Sequence, residues 1–358
     1  MIQLVLDDTH TRHQLFPFTH TRASADIRIG ILTIRQKWEK LLGSKVTVNG
    51  DEYLVPPRQE EQPVVFAGNI VPSRAFVQDL LNGHYPQEAF LQQATVRILE
   101  HPWQMVEYND WAIREDFALL TEGRSSQPIP STVICNHPEN VFIEEGAVLQ
   151  YCILNASNGP IYIGKNAEIM EGVSIRGPFA LCEGATVKMG ARIYGATTVG
   201  PYCLVGGEIK NAVLFGYSNK AHDGYLGDAV IGEWCNLGAG SSNSNIKNTA
   251  SAVKVWNEAT GRYDTAGIKC GLFMGDYSRC SINTSFNTGT VVGVAANVFG
   301  EGLLPKHIPS FSWGAKNPER YKFDKALEDI RNWKKLKNQV LSEKEIQQLA
   351  HIFDAISN

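Results

Sequence analysis

At 358 residues the chain has room for two or three domains, and 43% apolar residues supply enough for a sizeable core. A formal charge of −4 and a pI near 6.2 provide no basic field for nucleic acid. No run approaches the ~20 apolar residues of a membrane span, so neither nucleic acid nor a bilayer is an expected partner.

The N-terminus, MIQLVLDDTHTR, lacks the basic start and cleavage site of a signal peptide. Seven cysteines without a CxxC pair then read as reduced thiols in a cytoplasm. Residues 1–125 alternate strand and helix, the pattern of a small α/β domain. Ile2 to Leu6 predicts a strand, and Ile27, Ile31, Ile34 and Trp38 mark one face of a helix running to about Leu42. Val64 to Ala67 predicts a second strand. Ser73 caps a helix from Arg74 to Leu81, stopped by Asn82-Gly83. Ala94 to Leu99 predicts a third strand and Trp111 to Leu120 a helix. Thr121 to Pro130 (TEGRSSQPIP) is a linker by composition.

Beyond the linker the period changes. Ile163, Ile169, Ile175, Leu181, Val187, Ile193, Val199 and Val205 sit six apart without a miss. Met274, Cys280, Phe286, Val292 and Val298 repeat the spacing. At this composition eight hits in one register arise by chance roughly once in a thousand trials. Neither a helix nor a plain strand has a period of six, but a parallel β-helix with one inward residue per six-residue side does. Residues 131–305 are therefore expected to form such a coil, with Cys182, Cys203 and Cys280 as small core fillers. The register slips near Gly159-Pro160 and after Lys210, and resumes at Ile231 and Leu237. Residues 241–268, rich in polar and charged side chains, read as a long loop thrown out of one coil. Residues 306–358 form a C-terminal helical extension, with helices at about 318–336 and 343–356. Ser342 and Glu345 read as a capping box for the second. A β-helix leaves strand edges at both ends. The first domain and the terminal helices are expected to cover them, and trimerisation to bury the flat outer faces.

One constellation in the coil carries chemistry: Lys220-Ala-His-Asp-Gly-Tyr-Leu-Gly-Asp228, followed by AVIGEWCNLGAGSSNSN. Only two histidines, His137 and His222, fall in the β-helix, too few for the three imidazoles of a β-helix carbonic anhydrase. That leaves His222 as the one well-placed general base. The stretch resembles the acetyltransferase half of the bifunctional bacterial enzymes that are both N-acetylglucosamine-1-phosphate uridylyltransferase and glucosamine-1-phosphate N-acetyltransferase. The residues that carry the resemblance are His222, Tyr225-Leu-Gly-Asp228, Asn236-Leu-Gly-Ala-Gly240 and Asn245, with Arg192 and Lys210 upstream and no gap from Arg192 to Asn245. The resemblance implies a left-handed hexapeptide-repeat β-helix and acetyl-CoA as cosubstrate. It also implies His222 and Asn245 in catalysis, and Arg192, Lys210, Tyr225 and Asn236 holding an amino sugar phosphate. Gly238, Ala239, Gly240 and Gly275 then bind the coenzyme.

These residue types suit the reaction. A sugar amine must lose a proton before it attacks a thioester, and a neutral imidazole can take it. A dianionic phosphate needs fixed cations such as Arg192 and Lys210. Amides around Gly238 and Gly240 are candidate donors to the tetrahedral oxyanion, and no metal is required for acyl transfer. Singly, each residue reads more readily as a solvated charge or a corner glycine; the joint spacing favours function. The chain departs from the family in having Ile246 where a tyrosine is usual, and in its longer 241–268 loop.

A second constellation, Leu6-Asp-Asp-Thr-His-Thr-Arg12-His-Gln-Leu15-Phe-Pro17-Phe-Thr19, faintly resembles the opening of sugar nucleotidyltransferases, in a shortened form. Asp8 and His10 stand near where phosphate-cradling glycines are usual. Acids there repel phosphate. Asp7, Arg12 and Arg22 are the candidate nucleotide-binding residues, with Mg²⁺ needed only if this domain is an active nucleotidyltransferase. The expected function is acetyl-CoA-dependent N-acetylation of an amino sugar 1-phosphate, glucosamine 1-phosphate first, by a homotrimer making cell-envelope precursors. Two alternatives are a sugar-1-phosphate nucleotidyltransferase with the β-helix as scaffold, and a non-catalytic sugar-nucleotide-binding protein.

Overall fold

A computed structural model describes residues 3–54, 63–83 and 96–356. Ile2 and Ala94, the expected starts of two strands, lie outside the described residues. From Ile134 to Trp313 the chain winds into a β-solenoid of about ten turns. Early coils take eighteen residues: Ile161–Ile163 pairs in parallel with Phe179–Leu181, and that strand with Thr197–Val199. Every hexad residue named above points inward and is buried. Cys203 and Cys280 fill this core, but Cys182 lies outside it, against the first domain.

The slip after Lys210 has a local cause. Val199 stands beside Leu214, only fifteen residues on, because Gly206-Gly207 and then Asn211 alone turn corners that longer segments turn elsewhere. Asn211 does so at a φ of 47°, a region that asparagine tolerates better than most residues. The shortened coil passes so close to its neighbour that a Cβ on Gly200 would stand 1.8 Å from the Phe215 carbonyl oxygen.

Leu4–Asp7 is the central strand of a parallel three-stranded sheet, between Thr47–Asn49 and Val64–Ala67. The expected helix from Ile27 begins only at Ile34, where Thr33 and Gln36 form a capping box. Arg28–Ile29 and Leu32–Thr33 instead form a hairpin around Gly30 (φ 69°). The buried Asp116 carboxylate accepts the Ile31 and Leu32 amides at 2.7 and 3.0 Å, which holds the turn against helix.

The described residues of the first domain do not cover the solenoid's end. They pack on one lateral face, where strands such as Glu208–Gly216 and Tyr225–Glu233 carry apolar residues outward as well as inward. Val213, Phe215, Val230 and Phe273 join Phe18, Trp38 and Phe76 in one core. Each large side chain buried there contributes about 1.5–3 kcal/mol. The excursion after Asn245 is also firmly placed. It forms a hairpin, Lys254–Asn257 with Arg262–Thr265, and Val253, Val255 and Ala266 join the same core. His20 Nε2 meets Glu258 Oε1 at 2.9 Å. Helices Phe323–Leu336 and Glu343–Ala355, the second with its capping box, pack by Leu327, Ile330 and Leu349 on Trp234, Tyr277 and Phe311 of a solenoid corner.

Candidate functional site

A second lateral face stays open, and most of the expected site residues share it. Arg192, Glu208 and Tyr225 stand in register on adjacent coils, as do Tyr194, Lys210 and Gly227. Each is one residue away from an inward side chain, Ile193, Ile209 or Leu226, so alternation sends it outward. Arg192 keeps 61% of its side chain exposed and lies 3.9 Å from Glu208. Lys210 Nζ sits 5.5 Å from the Tyr194 ring centroid. The Tyr194 hydroxyl donates to Glu208 at 2.6 Å. Two cations thus lie on an open surface with one carboxylate between coils.

Next to them the Asn245 side-chain amide donates to the Tyr225 hydroxyl at 3.0 Å and to Asp228 Oδ2 at 2.5 Å. Asn211 donates to the other Asp228 oxygen at 3.2 Å. Burial, and then the Asp228 carboxylate, push the Tyr225 phenol up, so it stays a neutral donor. His222 opens the corner that leads into the Tyr225 strand. It is exposed, and its ring makes no hydrogen bond among the described residues.

Other expected residues are placed elsewhere. Asn236 lies on the adjacent face, where its side-chain oxygen accepts from Asn219 at 3.3 Å, so one chain does not bring it to Tyr225. The Gly238 amide donates to Cys280 O at 3.2 Å and the Gly240 amide to Asp223 O at 3.0 Å. Neither is a free oxyanion donor; Ala239 between them makes no such bond from its amide among the described residues. Gly275 lies under the first domain, where a Cβ would stand 3.1 Å from Pro17 Cβ. It offers no surface to a coenzyme.

In the first domain Asp7 accepts from the Thr9 hydroxyl at 2.6 Å and from Asn49 at 3.3 Å. Arg12 is held by the Thr19 carbonyl (2.8 Å), Asp51 and Tyr53. Arg22 is buried against Asp276 of the solenoid at 2.5 Å, with Glu233 at 3.4 Å. It joins the two parts of the molecule and is not available to a nucleotide. At the carboxyl end of the central strand, where strand order reverses, buried Thr11 Oγ1 and Asn69 Oδ1 lack hydrogen-bond partners among the described residues, and the buried Asp8 carboxylate accepts the Ser24 amide at 3.0 Å. Such a crevice is where open α/β sheets bind ligands. Burial pushes the Asp8 carboxyl up.

Sequence reasoning gave no role to Tyr194, Glu208 or Asp228. The hexad register could have found the first two, because each flanks an inward isoleucine as Arg192 and Lys210 do. Among the described residues no group of three or more His, Cys, Asp or Glu is placed to hold a metal, and no helix is long and apolar enough to cross a membrane.

Residues 3–96 match the family model for sugar nucleotidyl transferase. The chain is 28% identical over 218 residues to a bifunctional sugar-1-phosphate nucleotidylyltransferase/acetyltransferase of Sulfurisphaera tokodaii, covering 58% of this chain and 45% of that protein. It is 23% identical over 290 residues to the bifunctional protein GlmU of Synechococcus elongatus, covering 71% of this chain and 59% of that one. The chain thus spans about half the length of the curated relatives it matches. A hexapeptide transferase family protein of Anaplasma phagocytophilum superposes at 15% identity over 64% of this chain and 89% of its own, with a TM-score of 0.16, too low to bear on function.

Proposed function

We propose that the open solenoid face N-acetylates an amino sugar 1-phosphate, glucosamine 1-phosphate first, with acetyl-CoA as donor. The observation that carries this reading is the shared face: Arg192, Lys210, Tyr225 and Asn245 stand on neighbouring coils beside an unengaged histidine. Arg192 and Lys210 hold the phosphate. The Tyr225 hydroxyl, kept protonated, donates to the substrate. His222 takes the proton from the amine as nitrogen attacks the acetyl carbonyl. The C–N bond forms, the C–S bond breaks, and coenzyme A leaves as the thiol. The coenzyme lies along the Gly238-Ala239-Gly240 turn, with the Ala239 amide as donor to the oxyanion. Similarity to the two-activity relatives supports the same reading.

The face is open in one chain and Asn236 lies round the corner from it. A homotrimer, with Asn236 entering from another copy, completes the site in this reading. A cytoplasmic setting supplies both substrates. The first domain binds a nucleotide or sugar at its unpartnered polar atoms. The buried Asp8 carboxyl, its pKa raised by burial, suits ligand hydroxyls better than phosphate.

The test is a pair of substitutions. Arg192→Ala and Lys210→Ala should each raise the KM for glucosamine 1-phosphate about 10- to 100-fold, the loss of one charge-assisted hydrogen bond. The kcat should change little, since the phosphate is bound alike in ground and transition states. An unchanged KM in both removes the phosphate from this face.

A further inference from the structure

Lys220 occupies a position that the coil pattern reserves for apolar residues. It stands beside Val205 in the ladder, six residues before inward Leu226, and is 1% exposed. Val187 and Val205 below it and Leu237 above it are buried core residues. An ammonium here gives up its water, and burial pushes it down to about 8. The ordinary choice at such a site is valine or leucine, so the lysine has a reason beyond packing.

Its partners supply the reason. Lys220 Nζ donates to the His222 carbonyl at 2.5 Å and to the Asp223 carbonyl at 3.3 Å. Both oxygens belong to the corner that carries His222 to the edge of the open face. Asp223 O has a second donor, the Gly240 amide. For His222 O, Lys220 Nζ is the one donor recorded among the described residues. A methionine would fill the core equally well and leave that carbonyl without its bond.

We propose that Lys220 is a positioning residue: from inside the coil it fixes the backbone of the His222 corner, and so the place of the imidazole, without touching substrate. This rests on the reading of His222 as the base. Among the described residues the corner has no other side-chain anchor at its first residue, because the His222 ring makes no bond of its own.

The experiment compares Lys220→Met with the wild type in three readouts: acetyl transfer, thermal unfolding, and amide hydrogen exchange at residues 222–225. Methionine removes both the buried charge and its bonds, so the melting temperature should hold or rise. Exchange at the corner should quicken while the neighbouring coils stay protected. The kcat should fall about 10- to 100-fold, as for a misplaced base, with both KM values within about twofold. Lys220→Gln, which keeps a shorter donor, should recover part of the rate. Full activity in Lys220→Met, or a loss that tracks a lowered melting temperature and coil-wide exchange, overturns the proposal. If the wild type shows no acetyl transfer, the proposed function fails. The exchange readout then decides alone whether Lys220 holds the corner.

Discussion

His222→Ala is expected to lower kcat for acetyl transfer by about 10²–10⁴-fold, the usual contribution of a positioned general base. The KM for the sugar phosphate should change little, because Arg192 and Lys210 sit on strands that the substitution does not touch. The side chain is exposed and unbonded, so the folded state loses nothing and the melting temperature should stay within about 1–2 °C, as for other surface substitutions. A kinetic loss without a stability loss is the signature of a chemical role. Full activity in the variant would mean that another group, or water, takes the amine proton.

Arg22→Ala is expected to have the largest effect on stability. Its guanidinium meets Asp276 at 2.5 and 3.2 Å and Glu233 at 3.4 Å, and lies 5.0 Å from the Phe215 ring centroid. Removing it leaves the Asp276 carboxylate buried with the Thr21 hydroxyl and the Glu233 amide as its remaining donors among the described residues. Breaking a buried pair from one side costs about 3–5 kcal/mol. Arg22→Met with Asp276→Asn should lose less, because the stranded charge goes too. Urea unfolding of the full chain measures both. A loss below about 1 kcal/mol, the range of exposed pairs, would mean that water reaches the contact.

The solenoid was legible because one inward residue per side imposes a period that no other element shares. The cover on its lateral face was harder to read, though the continuous apolar run Ala212-Val-Leu-Phe215 is the mark of a strand buried on both sides. The hairpin at 28–33 was hidden because isoleucines at 27, 31 and 34 satisfy a helical face, and its cause, Asp116, lies 85 residues away. Arg22 looked free for the same reason: its partner is 254 residues on. Within the site, Arg192, Lys210 and Tyr225 could be read from spacing because no excursion separates them. Asn236 has the same relation to its inward neighbour, but belongs to the next side of the coil. Lys220 could have been noticed as the charge at an inward position, had the shortened coil after Lys210 been counted.

The most direct measurement follows free thiol from acetyl-CoA in the presence of the purified chain and glucosamine 1-phosphate, with glucose 1-phosphate alongside. Thiol released one for one with N-acetylated sugar phosphate, and none above background for the sugar without an amine, is the result predicted for the open face. No thiol with glucosamine 1-phosphate, together with pyrophosphate released from a nucleoside triphosphate and a sugar phosphate, would contradict it and make the solenoid a scaffold.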